Sequence, residues 1–219
     1  MNQSSLQRQA EEIEKISKLE KPYAKRIIGW DLDIFPHVYA GGTDSKLMCN
    51  AMEIVEGDDV LDLCTGMGVI AFDAALRGAR KVIGVDLNPE AIKNAKHNKK
   101  KLRQDKVEFY EGDLFEPVKG KKFNVITINP PFTAKKPGNK TEICFWDEDN
   151  QTTKRFFREV GEYLKPGGRV YISWGDFADM DLLPRLAEEN DMEIKLLNSA
   201  IGPATGFGFM TYGLSLNQA

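Results

Sequence analysis

Cysteine and histidine are scarce in this chain of 219 residues: Cys49, Cys64 and Cys144, with His37 and His97, are all there are. An odd number of thiols without motif spacing argues against a disulfide framework. With so few imidazoles a metal site is not expected either. No apolar run approaches the roughly 20 residues that cross a bilayer, and the polar start MNQSSLQRQA is unlike a signal peptide. Nor does one sign of charge dominate: a net charge of −3 lacks the basic signature of a general nucleic-acid binder. Internal repeats and low-complexity tracts are missing as well. What is left suits one domain with a short extension, and a cytoplasmic, metal-free enzyme or binding protein is the expected class.

Leu6, Ala10, Ile13, Ile16 and Leu19 recur at three-to-four spacing among charged residues. That predicts an amphipathic helix, stopped by Pro22 and suited to packing on the core or on another subunit. A short turn of helix is expected over 23–28, an aromatic, glycine-rich ordered loop over 29–44, and helix again over 46–55. From residue 58 strands and helices alternate. Strands are expected at 60–63, 81–85, 107–110, 123–128, 169–173, 193–198 and within 208–216. Helices are expected at 69–77, 89–102, about 152–164 and about 180–189. Apolar strands in repeated β–α units indicate a doubly wound, mostly parallel sheet of seven strands with helices on both faces. The short IGPATGFG connection makes the last strand antiparallel. The chain thus divides into a helical extension with a lid-like loop, residues 1–45, and an α/β domain, residues 46–219.

Ligands of such sheets bind at the carboxyl ends of the strands. The first of these strands ends in VLDLCTGMGVIA, where Gly66 and Gly68 permit a tight turn and a close approach of ligand to backbone. Asp86 ends the second strand, placed to bind ribose hydroxyls. A dinucleotide such as NAD and S-adenosylmethionine both fit these features. Asp62 and Asp113 favour the second. Asp62 precedes the loop, where a carboxylate can face an ammonium group that NAD lacks. Asp113 ends the third strand and can accept from an adenine amino group, with Leu87 and Leu114 on either side of the ring. Helix capping and turn formation are the alternatives for single acids here.

The ordered series VLDLCTGMG, VIGVDLNPEAI, EGDLF, FNVITINPPF and LKPGGRV, spanning 58 to about 175, resembles the motif set of class I S-adenosylmethionine-dependent methyltransferases. The resemblance implies a Rossmann-like methyltransferase fold, S-adenosylmethionine as cofactor, S-adenosylhomocysteine as product, and a loop in which Cys64 stands where most members have a glycine. Asn129-Pro130-Pro131-Phe132 is similar to the signature of enzymes that methylate a planar NH2, either a glutamine amide of release factors or an exocyclic amine of a nucleobase. The segment 34–52 resembles the release-factor glutamine methyltransferases, which implies that Tyr39, Thr43 and Asp44 help close the cofactor pocket. The stretch CFWDEDNQTTKRFF resembles the same family.

The chemistry behind the motif can be built from its residues. An amide or aniline-like nitrogen is a poor nucleophile because its lone pair is delocalised. Two acceptors, the Asn129 side-chain carbonyl and the Pro130 main-chain carbonyl, can hold the NH2 with its lone pair out of plane. Phe132 can stack on the acceptor, and the prolines bring no competing N–H. No general base is required before transfer, so positioning carries the rate.

The methyl acceptor is open between a protein amide, RNA and a small molecule. Lys135, Lys136 and Lys140 follow the motif, and seven Lys/Arg against one acid lie between Lys93 and Lys106. The first group could meet phosphates and the second reads as a solvated helix face. Phe35 or Phe132 could then stack a flipped base. Trp146 with Asp147, Glu148 and Asp149 could line a small-molecule pocket. A nicotinamide-dependent oxidoreductase or a non-catalytic cofactor-binding module are the readings outside this class.

Overall fold

The computed structural model describes residues 3–217, which form a two-stranded sheet and a seven-stranded sheet. α1 runs over Gln3–Ser17. Its buried stripe is Gln9, Ile13 and Ile16, at i, i+4 and i+7, whereas Ala10 points to solvent. The expected helical turn at 23–28 is instead a strand, β1 (Tyr23–Ile27), and the expected loop contains its partner, β2 (Trp30–Ile34). Ile28 and Gly29 join them with positive φ values of 52° and 82°, the backbone that a two-residue hairpin turn demands. Three-to-four periodicity does not reveal so short a hairpin.

α2 (Thr43–Ala51) begins three residues before the expected start and ends sooner. Thereafter the elements fall close to expectation: β3 (Asp59–Leu63), α3 (Val69–Leu76), β4 (Lys81–Asp86), α4 (Pro89–Leu102), β5 (Val107–Glu111) and β6 (Phe123–Ile128). Asn88 caps α4 by accepting from the Glu90 amide, ahead of proline at the first helical position. α5 (Gln151–Glu159) passes into a 3-10 turn, Val160–Tyr163. β7 (Leu164–Gly175) starts earlier than expected. Leu164 already pairs with Phe123, the LysProGlyGly run slips out of register, and pairing resumes at Arg169 with Val125. α6 (Leu182–Glu189), β8 (Met192–Ile201) and β9 (Gly208–Leu216) complete the chain.

The strand order is β5-β4-β3-β6-β7-β9-β8, with β9 antiparallel to both neighbours and the remaining pairs parallel. Side chains alternate across the sheet, so Leu61, Leu63, Ile126 and Ile128 enter the apolar layer on one face, and Val60 and Val125 that on the other. Each such side chain, fully removed from water, contributes about 2 kcal/mol. The order reverses between β3 and β6, the place where open α/β sheets bind ligands. Leu63 pairs with Ile128 there, so the residues that follow them, Cys64 and Asn129, emerge side by side from the sheet.

The hairpin is fastened to α4. Asn94 and Asn98, one turn apart, accept from the Phe35 and Asp33 amides and both donate to the Asp33 carbonyl. His97 and Lys101 hold the Asp33 carboxylate at 2.7 and 2.6 Å. Part of the basic helix face is therefore an intramolecular clamp. Among the described residues no helix is long and apolar enough to cross a membrane, and no group of three or more His, Cys, Asp or Glu is placed to hold a metal ion.

Candidate active site

At the end of β3 the chain turns sharply, with Cys64, Gly66 and Gly68 at φ 56°, 55° and 93°. Cys64 thus adopts a conformation that favours glycine. Gly68 has no room for more: a Cβ would come within 2.7 Å of the Phe109 ring. At Gly66 the opposite holds, since a Cβ would meet nothing nearer than the Tyr39 carbonyl at 3.9 Å. The loop's outer backbone face is open.

Two acids shape this turn from different sides. Asp86 accepts from the amides of Gly66 and Asn88, both at 2.8 Å, tying the loop to the start of α4. Burial raises its pKa, against the lowering effect of those two amides. Asp62 is wholly buried beneath the loop and accepts from the hydroxyls of Thr65 at 2.6 Å and its cross-strand partner Thr127 at 2.8 Å. Burial pushes its carboxyl up to about 7. Its hydroxyl partners belong to the glycine loop and to the neighbouring strand β6. Asp113, expected near the adenine, pairs with Arg155 of α5. Leu114 is buried, while Leu87 beside Asp86 is 55% exposed, a large apolar side chain without a cover.

The turn after β6 opens into a cavity of about 810 Å³, lined by Asn129 to Phe132, by Tyr39 and Gly41 to Asp44, and by parts of α1 and the β8–β9 connection. Asn129 donates its amide NH2 to Asp44 at 2.7 Å, and Asp44 also accepts from the Tyr39 hydroxyl at 3.1 Å. The Asn129 side-chain oxygen is buried with no partner. Burial, with the Asp44 carboxylate adjacent, raises the Tyr39 phenol well above its usual value. Phe132 packs against Trp174, Phe177 and Phe209 at ring distances of 5.6, 5.9 and 6.4 Å, leaving an edge of the cavity floor.

Other expected acceptor residues are placed differently. Phe35 lies outside the cavity, 5.1 Å from the His97 ring. Trp146 is buried, capped by the Lys135 ammonium 3.5 Å above its ring. Lys136 pairs with Glu148 at 3.3 Å and Lys140 with Glu90 at 3.9 Å. Conversely, Arg8 and Gln9 of α1 and the aromatics Phe177, Phe207 and Phe209 line the cavity without having been singled out. The one sequence signal was a glutamine at the buried spacing from Ile13. Phe207 was hidden in a run that reads only as a hairpin connection, while Phe177 follows β7 and Phe209 lies within β9.

A methyltransferase domain family model matches residues 54–211. The chain belongs to that family. A Methanocaldococcus jannaschii relative, provisionally named a protein N5-glutamine methyltransferase, is 38% identical over 67% of this chain and 76% of its own. The release factor glutamine methyltransferase of Koribacter versatilis is 33% identical over 53% of this chain and 46% of its own length, so the match spans less than half of that enzyme. Among solved structures, the T. thermophilus 16S rRNA N2 G1207 methyltransferase in complex with AdoMet and guanosine has a TM-score of 0.69 at 22% identity, covering 90% of this chain and 50% of that one. That likeness concerns the fold.

The protein is thus a class I S-adenosylmethionine-dependent methyltransferase, with S-adenosylmethionine as its cofactor. The donor set suits it. The open backbone at Gly66 can take the methionine end, while the uncovered Leu87 beside Asp86 offers an apolar surface to adenine. Bound there, S-adenosylmethionine supplies an electrophilic methyl group.

Proposed function

We propose that this methyltransferase acts on the side-chain amide nitrogen of a glutamine in a protein substrate. The observation that carries the reading is the buried, unpartnered oxygen of Asn129 at the wall of the cavity. A buried acceptor left unbonded costs about 1–3 kcal/mol, which a substrate N–H would recover. Asp44 supports the same role, because a carboxylate accepts and so takes the Asn129 NH2, which leaves the oxygen free for a substrate donor. With the Pro130 carbonyl as second acceptor, the acceptor NH2 is held with its lone pair directed out of the amide plane. The nitrogen forms its bond to carbon as the carbon–sulfur bond breaks, and one N–H proton leaves to water afterwards. Positioning and exclusion of water supply the rate. The glutamine class, and with it N-methyl transfer, is supported by the names of the relatives, and the coarser statement, methyl transfer, by the family.

The test uses tritiated S-adenosylmethionine and an extract of cells lacking this protein. The expected result is label released by protease, which acid hydrolysis then frees as volatile methylamine, the product of an N-methyl amide. Label released by ribonuclease and retained on a purine, or label confined to small molecules, would overturn the glutamine reading. No label at all would return the chain to a non-catalytic binding role.

A further inference from the structure

α1 presents a polar side chain where its apolar stripe should continue. Gln9 is 5% exposed, in line with Ile13 and Ile16. Burying an amide is unfavourable unless both of its ends are bonded. One end is: the Gln9 oxygen accepts from the Thr133 hydroxyl at 2.9 Å and from the Trp146 indole N–H at 3.2 Å. An indole N–H only donates, so the oxygen must face it, and the sense of the amide is set. The other end, Nε2, is buried and has no partner. Gln9 and Asn129 line the same cavity. Arg8, the preceding residue, bonds the Thr205 carbonyl and lies over the Phe207 ring, which fastens α1 across the mouth.

Two residues that line the cavity thus each carry one buried orphan atom, an acceptor in Asn129 Oδ1 and a donor in Gln9 Nε2. A primary carboxamide is their complement, with an NH2 and a carbonyl on one carbon. Resting on the glutamine reading above, we propose that Gln9 is a specificity-determining residue that donates to the carbonyl oxygen of the acceptor amide while Asn129 takes its N–H. The amide plane is then pinned at both ends before transfer. A glutamate side chain would set an oxygen against the Asn129 oxygen. A lysine amine would leave Gln9 without an acceptor. Sites built on such pairs reject the analogue that leaves a buried group unbonded.

The test substitutes Gln9 in two ways and follows label from tritiated S-adenosylmethionine into amides of the same extract. Gln9→Glu keeps an oxygen for Thr133 and Trp146 but exchanges the donor for an acceptor; Gln9→Met provides neither. At about pH 8 both should label amides on the order of tenfold more slowly or worse. Lowering the pH to about 6 should restore much of the Gln9→Glu rate, because a buried carboxyl protonates there and again presents a donor. Gln9→Met should show no such recovery. S-adenosylhomocysteine affinity should match the wild type in both, while the melting temperature falls somewhat because buried polar groups lose partners. Amide label in the wild type with near-normal rates in both variants would overturn the role of Gln9 and leave the glutamine reading standing. Losses accompanied by weakened S-adenosylhomocysteine binding would also overturn it, in favour of a structural role. Wild-type label on nucleobases would overturn both.

Discussion

Asp44 and Asn129, at the start of α2 and the end of β6, are joined by a hydrogen bond of 2.7 Å. The bond engages the Asn129 NH2 and leaves its oxygen without a partner, so in the proposed reading Asp44 acts on the acceptor through Asn129. Asn129→Ala should spare S-adenosylhomocysteine binding and lower kcat at least a hundredfold, an estimate from the loss of a positioning contact. Asp44→Asn, which lets the Asn129 amide turn over, should lower kcat on the order of tenfold. Calorimetry of cofactor binding beside steady-state rates checks both. Near-normal turnover by Asn129→Ala would sink the mechanism.

Asp86 organises the glycine loop. Its carboxylate takes the Gly66 and Asn88 amides, and bonds to a charged acceptor contribute about 1.5–3 kcal/mol each. Asp86→Ala should therefore weaken S-adenosylhomocysteine binding by well over tenfold and lower the melting temperature of the free protein. Titration calorimetry and thermal melts read the two effects separately. Weak binding with unchanged melting would assign Asp86 to the ligand alone.

Asp62 gives the free protein a pH dependence of opposite sign to the usual carboxylate. Its folded pKa, about 7, lies above the ordinary 3.8 because of burial. Between those values the folded state holds a proton that the unfolded chain has released. Stability from this group is thus full below the lower value, declines as pH rises through the window, and levels off above about 7. The total is on the order of a few kcal/mol. Asp62→Asn removes the titration while keeping a partner for Thr65 and Thr127, so it should flatten the stability profile across this window. Urea melts at several pH values test it, and an unchanged slope would locate the titration elsewhere.

The sheet was legible because its strands are apolar runs set between glycine turns and amphipathic helices, and Phe123–Ile128 coincides with β6 to the residue. The hairpin over 23–34 was not, because Tyr23–Ile27, with the adjacent pair Lys25 and Arg26, lacks a two-residue alternation and covers only five positions. At the site, the residue types were readable but their partners were not. Asp113 and Arg155 meet across 42 residues, and Gln9 reaches Trp146 across 137. Nothing local in the chain encodes such pairings. Cys64 was an anomaly in the motif until its positive φ showed a backbone demand that cysteine meets at a cost of about 1–2 kcal/mol.

The lysines after the motif discriminate between acceptors. An RNA substrate would draw affinity from Lys135, Lys136 and Lys140, with a salt dependence that falls as each phosphate contact is removed. Each of these ammonium groups has an internal partner: the Trp146 ring, Glu148 and Glu90. The two ion pairs are exposed and weak, so they would not by themselves prevent a phosphate from competing. Lys135 differs, since leaving the Trp146 face would forfeit a cation–π contact of about 0.5–1 kcal/mol on the ring that also holds Gln9. With a protein amide as acceptor, replacing all three lysines by alanine should change kcat/KM less than about threefold, with the same salt dependence as the wild type. With RNA as acceptor, the same variant should lose affinity most at low salt and show a shallower salt slope. Initial rates of label transfer across a series of salt concentrations separate the two cases without knowledge of the acceptor's sequence.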